Sequence, residues 1–232
     1  LSLGFYYIIG FEGVILGIGI SYFPYIIRII KGFKRNKIDF SILKDKKVVL
    51  MNNYILNLVR VFSVSVDRLL VVPMLGFALL GNYAIGLQVL TVIAIIPANV
   101  YRYILPQDAS GASTRKLKKA TIIITVILVI IAIIVAPIIM PIIFPKYTES
   151  IEIIQIMSLS VIPSTIGSMY TSKLLGNERS LTVLIGSLVY LATSVIGILI
   201  LGNMWSINGV AVTLVISATV QMSFLIIMSK ID

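Results

Sequence analysis

Apolar runs of about 20 residues, parted by short polar or basic connections, divide the chain into seven segments. They cover about Leu3 to Ile29, Val48 to Gly76, Phe77 to Leu105, Ala120 to Ile143, Ile151 to Leu175, Leu181 to Leu201 and Ile207 to Ser229. A bilayer core about 30 Å thick takes roughly 20 apolar residues per helix, so each segment predicts a transmembrane helix and the fold class is all-α, polytopic. The second segment differs from the others: it is long and apolar enough to cross, yet it carries Asn52, Asn53, Asn57, Arg60, Asp67 and Arg68. At about 3.6 residues per turn, Asn53, Asn57, Arg60, Val64 and Asp67 fall on one narrow face. A charge at mid-bilayer costs roughly 2.5 kcal/mol or more, so such a face turns into a bundle or a wet cavity. This helix is expected to wall a polar pathway.

Composition removes several function classes. Hydrophobic residues make up 59% of the chain and charged ones 12%, with a mean hydropathy of +1.08. The absence of Cys and His excludes disulfides, thiolate and imidazole metal ligands, thiol nucleophiles and the commonest general base. No cofactor is expected. A net charge of +10 would point to nucleic acid in a soluble protein, but here the cations sit in particular connections, which makes them a topology signal and removes nucleic acid as a partner. Leu1 opens inside an apolar stretch with no initiator Met or charged leader, so the chain is expected to be the later part of a longer protein.

The connections after the first, third and fifth segments hold seven (Lys31 to Lys47), four (Arg115 to Lys119) and two (Lys173, Arg179) Lys or Arg residues. Those after the second, fourth and sixth hold none, one (Lys146) and none. This alternation places the first set and the C-terminus in the cytoplasm, with the start of the first segment outside. Arg102, Lys173 and Arg179 mark the cytoplasmic headgroup level, and Trp205 fits an interfacial anchor. The basic stretch Lys31 to Lys47 reads either as a solvated loop or as an amphipathic helix on anionic headgroups, with Phe33, Ile38, Phe40, Ile42 and Leu43 inward. Gly4, Gly10, Gly13, Gly17 and Gly19 would let a neighbouring helix approach the first segment closely. Pro97, Pro137 and Pro163 are expected to kink their helices.

Val66-Asp67-Arg68-Leu69-Leu70, then Leu75-Gly76 and Leu80-Gly81-Asn82-Tyr83-Ala84-Ile85-Gly86, resemble the pattern of polysaccharide-transporter proteins. These are the O-antigen-type flippases of the multidrug/oligosaccharidyl-lipid/polysaccharide exporter superfamily. Leu175-Gly176-Asn177-Glu178-Arg179 is similar to that family's tight turn, and Ser206-Ile207-Asn208-Gly209-Val210-Ala211 to the start of its final hairpin. The resemblance implies two six-helix lobes. Residues 1–30 would be the last helix of an N-terminal lobe, 31–47 a cytoplasmic basic linker, and 48–232 the C-terminal six-helix lobe. The N-terminal lobe, absent from this chain, would supply the other cavity wall. The implied function is flipping of lipid-linked oligosaccharide or polysaccharide precursors across the plasma membrane, with that glycolipid and membrane lipids as partners.

On this reading Arg60 meets a phosphate of the lipid-linked sugar, since a guanidinium stays charged and bonds phosphate oxygens bidentately. The alternative is a structural partner: Glu12, Asp67 or a carbonyl of another helix. Asp67 and Arg68 lie near the outer end, as a structural pair, an outer gate or substrate contacts. Glu12 is either a proton or cation site or the partner of Arg60. Gln88 and Gln221 either bond sugar hydroxyls or tie helices together. Acidic coupling sites would instead favour a multidrug or small-solute exporter of the same superfamily. An intramembrane transferase is disfavoured: there is no His, no Cys, no membrane-embedded aspartate pair and no large extramembrane loop. A passive assembly subunit has no reason to carry buried charge, so the chain is expected not to be an enzyme and to act as a transporter.

Overall fold

The computed structural model describes residues 2–35 and 47–231. Among them the regular elements are all helical, and the chain divides into two compact units, residues 1–47 and 48–232. Residues 36–46 of the basic linker, and with them the amphipathic-helix expectation there, lie outside the described residues.

The first unit departs from the single helix expected over residues 1–30. It forms α1 (Ser2–Ile9), α2 (Phe11–Ser21) and α3 (Phe23–Arg35). Gly10, at φ 76° and ψ −147°, breaks the helix, because a left-handed residue cannot continue a right-handed one and only glycine enters that region freely. α1 then folds back on α2, with Gly13 against the backbone of Phe5 and Gly17 against that of Ser2. The close approach expected of these glycines is therefore made within the segment. Glu12 lies exposed in the first turn of α2.

The second unit holds α4 (Lys47–Ala109), α5 (Arg115–Ile143), a 3-10 turn (Pro145–Tyr147), α6 (Ser150–Ser158), α7 (Val161–Gly176) and α8 (Ser180–Met228). The 63 residues of α4 would run about 95 Å if straight, far more than a bilayer. The helix folds at Gly76, with φ 84° and ψ 171°, into a first arm (47–75) and a second arm (77–109). Pro73, Pro97 and Pro106 stay within helical backbone, and the turn expected between the second and third segments falls at Gly76. α8 breaks at Trp205 and at Ser206, whose φ is 53°. Between α6 and α7 the helix interrupts at residues 159–160, which leaves Pro163 in the first turn of α7, where its missing N–H costs nothing.

Several apolar clusters hold the unit, two of them along the arms of α4. Around the Gly76 turn, Val71 and Tyr83 pack with Ile153, Met157, Ile198 and Val210. Towards the other ends of the arms, Leu56 and Val59 pack with Leu174, Val183, Leu184 and Leu225. α5 buries only a stripe, Thr121, Thr125, Val129, Ala136 and Met140. Among the described residues, five helices are long and apolar enough to cross a membrane: Glu12–Gly32, Leu79–Ala109, Arg115–Ile143, Ser150–Gly176 and Ser180–Met228. The polar first arm of α4 is not among them, and α8 counts once despite its break.

Gly209 sits against the carbonyl of Leu201, where the two parts of α8 come together, and a Cβ there would collide with that oxygen. Gly209→Ala should cost about 1–3 kcal/mol of stability by overpacking. Its melting temperature in detergent should fall, while exposed Ile216→Ala stays near wild type; an unchanged Gly209→Ala would contradict the close approach.

Candidate functional site

The two arms of α4 meet close to their turn. Asp67, only 4% exposed, accepts a hydrogen bond of 2.5 Å from the Tyr83 hydroxyl and one of 2.7 Å from the Arg68 backbone N–H. The resemblance motif on either side of Gly76 is thus closed on itself by a buried bond. A carboxylate away from water needs such donors, since an unsatisfied buried polar group is costly.

Farther from the turn the arms part around a cavity of about 560 Å³. Asn53, Leu56, Asn57 and Arg60 line it from the first arm, and Tyr101, Leu105 and Ala109 from the second. Leu175, Gly176, Glu178 and Ser180, from the α7–α8 connection, complete the wall. Arg60 is exposed and makes no hydrogen bond or ion pair with the described residues. The Asn52 amide donates to the Ser180 hydroxyl at 3.4 Å, tying the first arm to the start of α8.

Two local devices shape this end of the unit. Asp108, at the end of α4, accepts hydrogen bonds of 2.6 Å from Lys118 Nζ, Ser172 Oγ and Thr114 Oγ1. One carboxylate thereby joins α4, α5 and α7, and the Lys118 contact is also an ion pair. The α7–α8 turn has the Schellman pattern: the Arg179 N–H donates to the Leu174 carbonyl at 2.8 Å and the Glu178 N–H to that of Leu175 at 3.0 Å. Its left-handed position is held by Glu178, φ 59°, where glycine is the unstrained choice. A non-glycine residue in that conformation costs on the order of 1 kcal/mol, and here the residue that bears it lines the cavity. Arg179 Nη1 donates to the Met228 carbonyl at 3.1 Å, closing the end of α8.

Of the residues singled out in the sequence, Asn53, Asn57 and Arg60 come together at this cavity. Asp67 does not join them, although seven residues from Arg60 it lies on nearly the same helix face: the arms converge there and the side chain is enclosed against Tyr83. The alternative of Asp67 as a partner of Arg60 gives way to the tyrosine. Arg68 and Gln88 are exposed and Gln221 is half-buried, none of them lining the cavity, and Glu12 belongs to the first unit. Sequence reasoning missed Tyr101, Glu178 and Asp108. Asp108 could have been noticed as the one acid in the basic connection 106–119. Among the described residues there is no group of His, Cys, Asp or Glu side chains able to hold a metal. Comparisons with protein families, with curated proteins and with solved structures find no match for this chain.

Tyr83→Phe should destabilise the unit by about 1–3 kcal/mol, because the Asp67 carboxylate loses its side-chain donor while staying buried. In detergent unfolding, Tyr83→Phe combined with Asp67→Asn should cost less than the sum of the two single changes. Strict additivity would contradict the bond.

Proposed function

We propose that this chain is the C-terminal part of a flippase that moves lipid-linked oligosaccharide or polysaccharide precursors across the plasma membrane. What carries the reading is one observation: a cavity at the end of a membrane-type bundle holds a guanidinium without a partner among the described residues, flanked by the amides of Asn53 and Asn57. Arg60 would bond the phosphate oxygens of the glycolipid and the amides its sugar hydroxyls. The chain crosses the membrane seven times on this reading, counting the first arm of α4 and each part of α8 as spans. Six of these form one lobe, and the C-terminus is cytoplasmic. The cavity then opens towards the cytoplasm, where Arg115 to Lys119 would draw in an anionic head group. An N-terminal lobe of the same protein would close the other side, and alternation between the lobes would release the ligand outside. No step of this requires catalysis.

A second reading, a multidrug or small-solute exporter of the same superfamily, is favoured by an acidic residue, Glu178, on the cavity wall. Arg60 and Glu178 separate the two. In full-length protein expressed where glycolipid export is required, Arg60→Ala should abolish export at normal protein level and Arg60→Lys should restore part of it. Glu178→Gln should leave glycolipid export in place. Normal export by Arg60→Ala would sink the flippase reading.

A further inference from the structure

The outward faces of the second unit differ in chemistry. Along α5, exposed Ile123, Ile127, Ile130, Ile134 and Ile138 are all aliphatic, a surface suited to acyl chains. Along the second arm of α4, Gln88, Thr91, Ile95, Asn99 and Arg102 are exposed too, three or four residues apart, and so form one stripe. The stripe extends about 21 Å along the helix.

Its polar groups are not all satisfied by the helix. Thr91 donates to the Leu87 carbonyl at 2.8 Å, which makes a hydroxyl tolerable even against lipid. Asn99 donates one N–H to the Ile95 carbonyl at 2.8 Å, leaving its other N–H and its oxygen open. Gln88 and Arg102 make no hydrogen bond or ion pair with the described residues. In hydrocarbon the open groups of Gln88 and Asn99 would stand without a partner, at a cost that the isoleucines of α5 avoid. The stripe also runs onto the cavity wall: Ala109, which lines the cavity, lies 18 residues beyond Thr91, or about five full turns, and hence on the same side of the helix.

We infer that this stripe is the wall of a water-filled conduit continuing from the Arg60 cavity towards the Gly76 turn. Asn99 and Gln88 are contact points in it for a ligand rich in hydroxyl or amide groups, and Arg102 stands at its entrance. That a transported ligand uses the conduit rests on the transport reading; that the stripe is wet does not.

The absence of cysteine from this chain makes the test direct. Gln88→Cys and Asn99→Cys are compared with Ile127→Cys and Ile134→Cys in the full-length protein, with no other cysteine present, in intact membranes. The probe is a charged, membrane-impermeant thiosulfonate, and labelling after denaturation in SDS checks that each variant is present and reactive. Gln88→Cys and Asn99→Cys should react at least about tenfold faster than the α5 positions, which hydrocarbon shields from a charged reagent. Equal, slow rates at all four would overturn the conduit, whether lipid or protein covers the stripe. Fast labelling of the stripe together with normal export by Arg60→Ala would uphold the conduit and remove the flippase reading.

Discussion

The hydrogen bond from Tyr83 to Asp67 lies where the two arms of α4 converge, and the shape of the cavity follows from it. Gly76 lets the helix reverse, but a reversal alone does not set how the arms diverge. A buried carboxylate seven residues from Arg60 holds the first arm against the second near the turn. Farther along, Asn53, Asn57 and Arg60 face Tyr101, Leu105 and Ala109 across open space. The same helix face therefore serves packing at one end and a polar cavity at the other.

The opposite end is held by charge. Asp108 gathers Lys118, Ser172 and Thr114, so the ends of α4 and α7 and the start of α5 are fixed beside the cavity. A carboxylate with three donors is well compensated for the water it gives up, and removal of one donor would leave the others in place. Next to it, the strained Glu178 position holds the α7–α8 turn and lines the cavity at once. At this cavity wall the sequence departs from the local optimum, which is glycine.

The class of fold was legible because apolar runs of membrane length are a local property, and the Asn53–Asn57–Arg60 face because helical periodicity is local too. The destination of Asp67 was not legible. Periodicity put it with Arg60, and only the convergence of the arms, a tertiary fact, turned it to Tyr83. For the same reason the clamp on Asp108 escaped notice, since Ser172 lies 64 residues away. The break at Gly10 falls inside a segment that reads as one helix and was not legible, whereas the reversals at Gly76 and Trp205–Ser206 fall where one apolar run gives way to the next. The last of these places a serine, not a glycine, at positive φ.

The most direct test of the account is an experimental structure of the full-length protein in a lipid bilayer with lipid-linked oligosaccharide present. The account predicts the arms of α4 parted around the cavity, Tyr83 bonded to Asp67, and an anionic group of the glycolipid within hydrogen-bond reach of Arg60. Arg60 paired with a protein carboxylate, in a cavity closed to both ligand and water, would contradict it.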